Sequence, residues 1–169
     1  MRAALLVLLA CGPAAAQEVA DCDPAPPVTA LVEPWEDTSA SLGGGAIRLA
    51  LLHGEAEGVA LLALTLPPVE ADADAEAPAD PAAPPPPPRC RVVSEGGIGF
   101  AALDLAALAA TEDPAAATLT ARVPALRFVP ESTELEEVVL ALTFGVADDS
   151  LLAAIETAGG DGSEGGGGP

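Results

Sequence analysis

The chain has no lysine and no tyrosine, and it carries one histidine, one tryptophan and one methionine. Each shortage removes a kind of chemistry. With His53 alone there is little from which to build a Ser-His-Asp arrangement, and no G-x-S-x-G elbow occurs. The nearest string, Asp161-Gly162-Ser163-Glu164-Gly165, lacks the first glycine. Neither a phosphate-cradling glycine loop nor a dinucleotide fingerprint is found. Aromatic residues are 2% of the chain, so the paired carboxylates of a glycosidase would lack an aromatic-rich cleft. Cations are scarce as well: six Arg against 26 Asp and Glu leave a net charge of −20. Such a chain repels nucleic acid and anionic membrane surfaces. After the N-terminus no apolar run approaches the ~20 residues of a membrane-spanning helix. The expectation is no catalytic residue, no cofactor, no metal centre, no nucleic-acid partner and no transmembrane helix.

What is present begins with MRAALLVLLACGPAAA. Arg2 supplies a positive n-region. Ala3 to Ala10 form an apolar stretch too short to span ~30 Å of hydrocarbon. Ala14-Ala15-Ala16 offers small residues for cleavage between Ala16 and Gln17. This is the layout of a secretory signal peptide over residues 1–16, and it predicts a periplasmic or secreted protein. A rival reading uses Leu8-Leu9-Ala10-Cys11, which resembles a bacterial lipoprotein box although Leu9 suits its second position poorly. Lipidation of Cys11 would make an outer-membrane lipoprotein instead.

Either outcome leaves two thiols, Cys22 and Cys90. In an oxidising compartment their pairing is the default. No C-x-x-C occurs, so neither a thioredoxin-like redox site nor a zinc ribbon is indicated.

About 150 residues remain after the signal, enough for one domain with a core. Leu, Val, Ile, Phe and Trp make up about a quarter of them, above the level at which disorder is the default. Residues 17–27 read as a flexible, polar, proline-bearing lead-in. Val28 to Val32 reads as the start of a first strand, ended by Glu33-Pro34. Thr38–Leu42 and Ala46–Leu52 flank Gly43-Gly44-Gly45 and predict a β-hairpin. Val59–Leu66 is a nearly continuous apolar run of strand length, which favours a buried strand. Residues 67–89 are rich in Ala, acid and proline, with five prolines from Pro84 to Pro88. Proline lacks an amide hydrogen, so this is read as a disordered insertion in a strand connection. Its P-x-x-P pattern reads as a linker, since an exported protein seldom meets an SH3-type groove.

Further along, 98–110 and 151–156 fit helix or strand equally. Thr118–Val123 alternates cleanly. Pro124 should interrupt it, with Leu126–Val129 continuing as an edge strand. Glu131–Glu137 reads as an acidic turn, Val138–Phe144 as the best strand of the second half, and 157–169 as a disordered glycine-rich tail. The fold class that follows is mainly β, a single antiparallel sandwich or open barrel of about seven to eight strands over residues 28–156.

Three side-chain features stand out. Asp72-x-Asp74-x-Glu76 starts like a calcium loop, but Ala77 stands where glycine is required and Ala83 where a bidentate Glu belongs. His53 reads as a solvated turn residue. Trp35, between Glu33-Pro34 and Glu36-Asp37, either anchors a core edge or serves as an exposed binding anchor.

The strings Leu31-Val32-Glu33-Pro34-Trp35-Glu36, Ile47-Arg48-Leu49-Ala50-Leu51-Leu52 and Cys90-Arg91-Val92-Val93, with Asp21-Cys22-Asp23 and Gly99-Phe100, resemble a family of small exported alphaproteobacterial proteins. The resemblance implies export and a Cys22–Cys90 pair, and it carries over no catalytic residue. The chain departs from that pattern at 67–89 and in its glycine tail. The functional expectation is a non-enzymatic periplasmic β-domain that binds or supports something at the envelope, with a cationic or cell-envelope partner. A lipid-anchored component and a carboxylate-dependent hydrolase are the alternatives.

Overall fold

The computed structural model describes residues 17–54, 58–66 and 87–157. The signal segment with Ala16 and Cys11, the acid run Asp72–Glu76, most of the proline run and the tail from residue 158 lie outside them.

Among the described residues ten strands, more than the seven to eight expected, form two five-stranded antiparallel sheets, a β-sandwich. The first sheet holds β1 (Gln17–Asp21), β2 (Ser39–Leu42), β3 (Ile47–His53), β4 (Val59–Thr65) and β5 (Arg89–Glu95), in the order β1-β5-β4-β3-β2. The second holds β6 (Ala102–Leu103), β7 (Ala109–Asp113), β8 (Thr118–Phe128), β9 (Leu135–Gly145) and β10 (Leu151–Thr157). Its order is β10-β9-β8-β6, and β7 pairs with the same edge of β8 as β6. One short helical turn, α1 (Trp35–Thr38), precedes β2.

The period of two in a strand explains the core. Leu49 and Leu51, Leu61, Val93, Leu119 and Val123, and Leu140 and Leu142 all point between the sheets and are buried. Register fixes who meets whom: Leu51 opposes Leu61, Leu119 opposes Phe144, and Val123 opposes Leu140. The continuous apolar run of β4 has a different cause. Its other face, with Ala60 and Leu62, is also buried, under Ala30, Leu31 and the Cys22–Cys90 pair. Residues 22–32 therefore form a partial third layer. The disulfide that pins it joins positions 68 residues apart.

Gly99 lets the chain cross from one sheet to the other. Its φ is +89°, and a Cβ there would lie 2.5 Å from Val59 O. That close approach allows Phe100 and Val59 to exchange backbone hydrogen bonds of 2.7 and 2.8 Å and places Phe100 fully in the core.

Several expectations need correction. Residues 17–21 are not lead-in but strand β1, paired over its whole length with β5. The partner lies about 70 residues away in sequence, and the strand itself is polar. Val28–Ala30 is a 3-10 turn, and only Leu31 makes a bridge, to Leu52. The two segments left open between helix and strand are resolved as strand: 98–110 contributes β6 and the start of β7, and 151–156 lies in β10. Strand β9 starts at Leu135, inside the segment read as an acidic turn.

Pro124 does not end its strand, because β8 runs through it. The NH groups of Ala101 and Asp104 donate to Leu126 O and Pro124 O. Even-numbered residues of this part of β8 thus turn their backbone toward the β6–β7 edge. The missing amide hydrogen of Pro124 faces the point where that edge breaks, and no ladder bond to β9 is lost. At the break, Asp104 Oδ1 accepts from Ala106 N and Ala107 N, both at 3.1 Å.

Candidate functional site

Trp35 is the most exposed of the aromatic residues, and the local chain explains why. Segment 31–32 pairs along the outer edge of β3, with Val32 N donating to Leu51 O at 3.0 Å. Strand β2 returns to that same edge at Ser39–Leu42. Residues 33–38 must bulge outward between these two points of attachment, and α1 is that bulge. Thr38 Oγ1 donates to Val32 O at 2.6 Å and lies 2.8 Å from Pro34 O. Ser39 Oγ donates to Trp35 O at 2.6 Å. The turn is thus tied back at both ends. It leaves Trp35 half exposed, at 50%, with exposed Glu33, Glu36 and Asp37 beside it in the chain. An exposed indole with acidic neighbours along the chain suits a partner that is both apolar and cationic.

Sequence reasoning missed a second feature. Counting by twos from Val93 places Arg91 and Glu95 on the same inward face of β5. Arg91 is buried, at 7% exposure. It bonds the backbone carbonyl of Asp149, with the Asp149 carboxylate 3.5 Å from Nη2 and that of Asp21 4.0 Å from Nε. Asp149 also accepts from Thr65 Oγ1 at 2.8 Å and pairs with Arg89 at 3.0 Å. Burial works to raise the Asp149 pKa. The Thr65 and Arg89 hydrogen bonds and the charges of Arg91 and Arg89 outweigh it and hold the carboxyl below its ordinary value. At the other end of β5, Glu95 Oε1 lies 3.3 Å from Arg127 Nη1 on β8. Arg127 is held in turn by Glu136, at 2.7 Å. These groups clasp the two sheets together at both ends of β5.

Two adjoining grooves, of about 210 and 450 Å³, open at one end of the sandwich and share Ala46, Ile47 and the exposed Val146. Glu112, Asp113 and Asp149 contribute to their walls. A third groove, of about 480 Å³, follows Ala102, Pro124 and Val139.

The other anticipated residues fall apart from one another. His53 ends β3 with an exposed side chain. Cys22 and Cys90 are joined as a disulfide. Gln17 opens β1. No helix among the described residues is long and apolar enough to cross a membrane. Trp35 is thus the anticipated binding residue that the fold presents outward on a fixed turn. No protein-family model, no curated protein and no solved structure matches this chain.

Proposed function

We propose that this chain is an exported, disulfide-stapled β-sandwich that works by binding at the cell envelope, with Trp35 as its anchor. The observation that carries the reading is the half-exposed Trp35 on a turn tied back by Thr38 and Ser39, with acidic neighbours along the chain. The signal layout of residues 1–16 and the Cys22–Cys90 pair support export. The inward charges of β5 are engaged in joining the sheets, which favours binding over carboxylate chemistry. The partner is a cationic, partly apolar group of the envelope.

Trp35 is the only tryptophan, so 5-fluorotryptophan labelling gives one fluorine NMR line. Adding envelope vesicles from the protein's own host should broaden or shift that line. Trp35→Ala should weaken co-sedimentation with those vesicles about 30-fold, on the hot-spot scale of ~2 kcal/mol. An unchanged line, with equal co-sedimentation of the variant, rejects the proposal.

A further inference from the structure

We propose that the sandwich is one strand short, and that the vacancy takes an extended segment of a partner polypeptide bearing a basic residue, added as a strand to the free edge of β2. The inference goes beyond the Trp35 reading and stands without it. It begins with how the sheets end. Strand β2 closes the first sheet and pairs only with β3 among the described residues. Natural edges are guarded by charge, by proline or by being very short. Here β1 carries Glu18 and Asp21, β10 carries Glu156, β7 carries Glu112 and Asp113, and β6 is two residues long. The β2 edge, Ser39 to Leu42, has neither charge nor proline.

Register shows which groups of that edge are open. Val32 N donates to Leu51 O along the β2 side of β3, so the odd-numbered residues of β3 turn their backbone that way. Leu49 and Ile47 therefore bond their partners Ala40 and Leu42. The N–H and C=O of Ser41 and the C=O of Ser39 point away from β3, and both residues are exposed. No backbone hydrogen bond among the described residues takes these groups up.

The strand face that an added segment would cover is bare. Directly opposed residues of a ladder point to the same side. Ala110 opposes Ala121 and Glu112 opposes Leu119, and Ala121 and Leu119 are buried in the core. Ala110 and Glu112 thus belong to the inward face of β7, yet every residue of β7 is exposed. The first sheet stops too soon to cover them. A Cβ at Gly43, the residue after β2, would lie 3.5 Å from Leu119 Cδ1, so β2 ends against β8, the neighbour of β7. The groove of about 450 Å³ lies here, with Gly43 and Ile47 on one wall and Glu112 and Asp113 on the other.

A strand bonded to Ser41 would lie over β7 and fill this groove. Main-chain bonds would hold it, and β7 would read its alternate side chains: a small apolar one over Ala110 and a basic one beside Glu112. Glu112 takes part in none of the ion pairs among the described residues, and the chain's net charge of −20 favours a cation. A second copy fits less well, because its own Ser39–Leu42 edge offers Glu112 no cation.

The test titrates the isotope-labelled protein, followed by heteronuclear NMR, with a blocked hexapeptide of sequence threonine-valine-threonine-arginine-threonine-valine, which places valine and arginine on one side of a strand. The Ser41 amide should shift, and its hydrogen exchange should slow about tenfold or more in the complex. Methylating the peptide's alternate backbone nitrogens in one frame should weaken binding about tenfold, and in the other frame should leave it within about twofold, because only one set of amides faces β2. Ser41→Pro removes the outward N–H and no ladder bond to β3, so it should weaken binding about tenfold while the urea midpoint holds. Glu112→Arg should weaken the arginine peptide severalfold and reverse the preference toward a peptide with glutamate in that place. An unmoved Ser41 amide at millimolar peptide, equal effects of both methylation frames, or unchanged affinity in both variants overturns the proposal. Protection of the Ser41 amide without peptide, in a protein that sediments as a dimer, also overturns it, since a second copy then holds the edge.

Discussion

Replacing both Cys22 and Cys90 with alanine should lower stability by about 4 kcal/mol. On the chain-entropy model, a bridge between positions 68 apart restricts the unfolded chain by that amount. The packing adds to this estimate. The two cysteines lie against Leu52, Ala60 and Leu62, and the bridge is the covalent tie between this outer layer and the sheet beneath. Alanine keeps the site apolar, so no new buried polar group confuses the reading. The assay is equilibrium urea unfolding followed by far-ultraviolet circular dichroism and by Trp35 fluorescence. With a slope of ~2 kcal/mol per molar urea for a small domain, the midpoint should fall by about 2 M. The slope should steepen slightly, because an uncross-linked unfolded chain exposes more surface. Reduced wild type should behave as the variant does. A midpoint shift under about 0.5 M would refute the reasoning, since the bridge would then constrain neither the unfolded chain nor the outer layer.

Two further outcomes follow from the core and the clasp. Leu140→Ala, at a position with 0% exposure, should cost about 2–5 kcal/mol by opening a cavity between the sheets, measured by the same urea titration; a loss below ~1 kcal/mol would contradict the packing described. Asp149→Asn tests the clasp through its pH dependence. The Asp149 carboxyl is held below its ordinary value in the folded protein, so its contribution is present above the unfolded value near 3.9 and is lost as pH falls through the lower folded one. The variant should be less stable at pH 7 by about 1 kcal/mol, given the partial exposure of the pair. That gap should close on acidification below pH ~4, and a gap constant from pH 7 to 3 would show that the charge is not the cause. Asparagine tolerates the positive φ of 53° at this turn, which keeps the backbone comparable.

The alternation of Leu119, Ala121 and Val123, and of Val138 to Phe144, was enough to find the central parts of the two longest strands and the mainly β class, but not their full lengths. The Gly43–Gly45 hairpin was equally legible, because three glycines in the left-handed region suit a tight reversal. Strand β1 was not, since five mostly polar residues become a strand only through β5, a partner that local pattern cannot reveal. Pro124 misled for a related reason: proline excludes a ladder bond on one side of a strand, and sequence does not say which side is already vacant. Trp35 was visible as a lone indole among acids, but its exposure depended on the bulge at the β3 edge. The inward-facing Arg91 and Glu95 were missed because a charge beside valines reads as outward. Counting by twos from Val93 would have found them.

The divided edge of the second sheet bears on how this protein behaves when crowded. A free strand edge is a template for another chain, and its danger grows with the length of unbroken ladder it offers. Here the template is cut. Strand β6 offers two residues, β7 offers five, two of them Glu112 and Asp113, and the Asp104 turn separates them opposite Pro124. A neighbouring molecule that began to pair along this rim would meet a bend and then like charge. The same proline that breaks the sheet's regularity thus helps keep copies of this half-apolar chain from zipping into fibres.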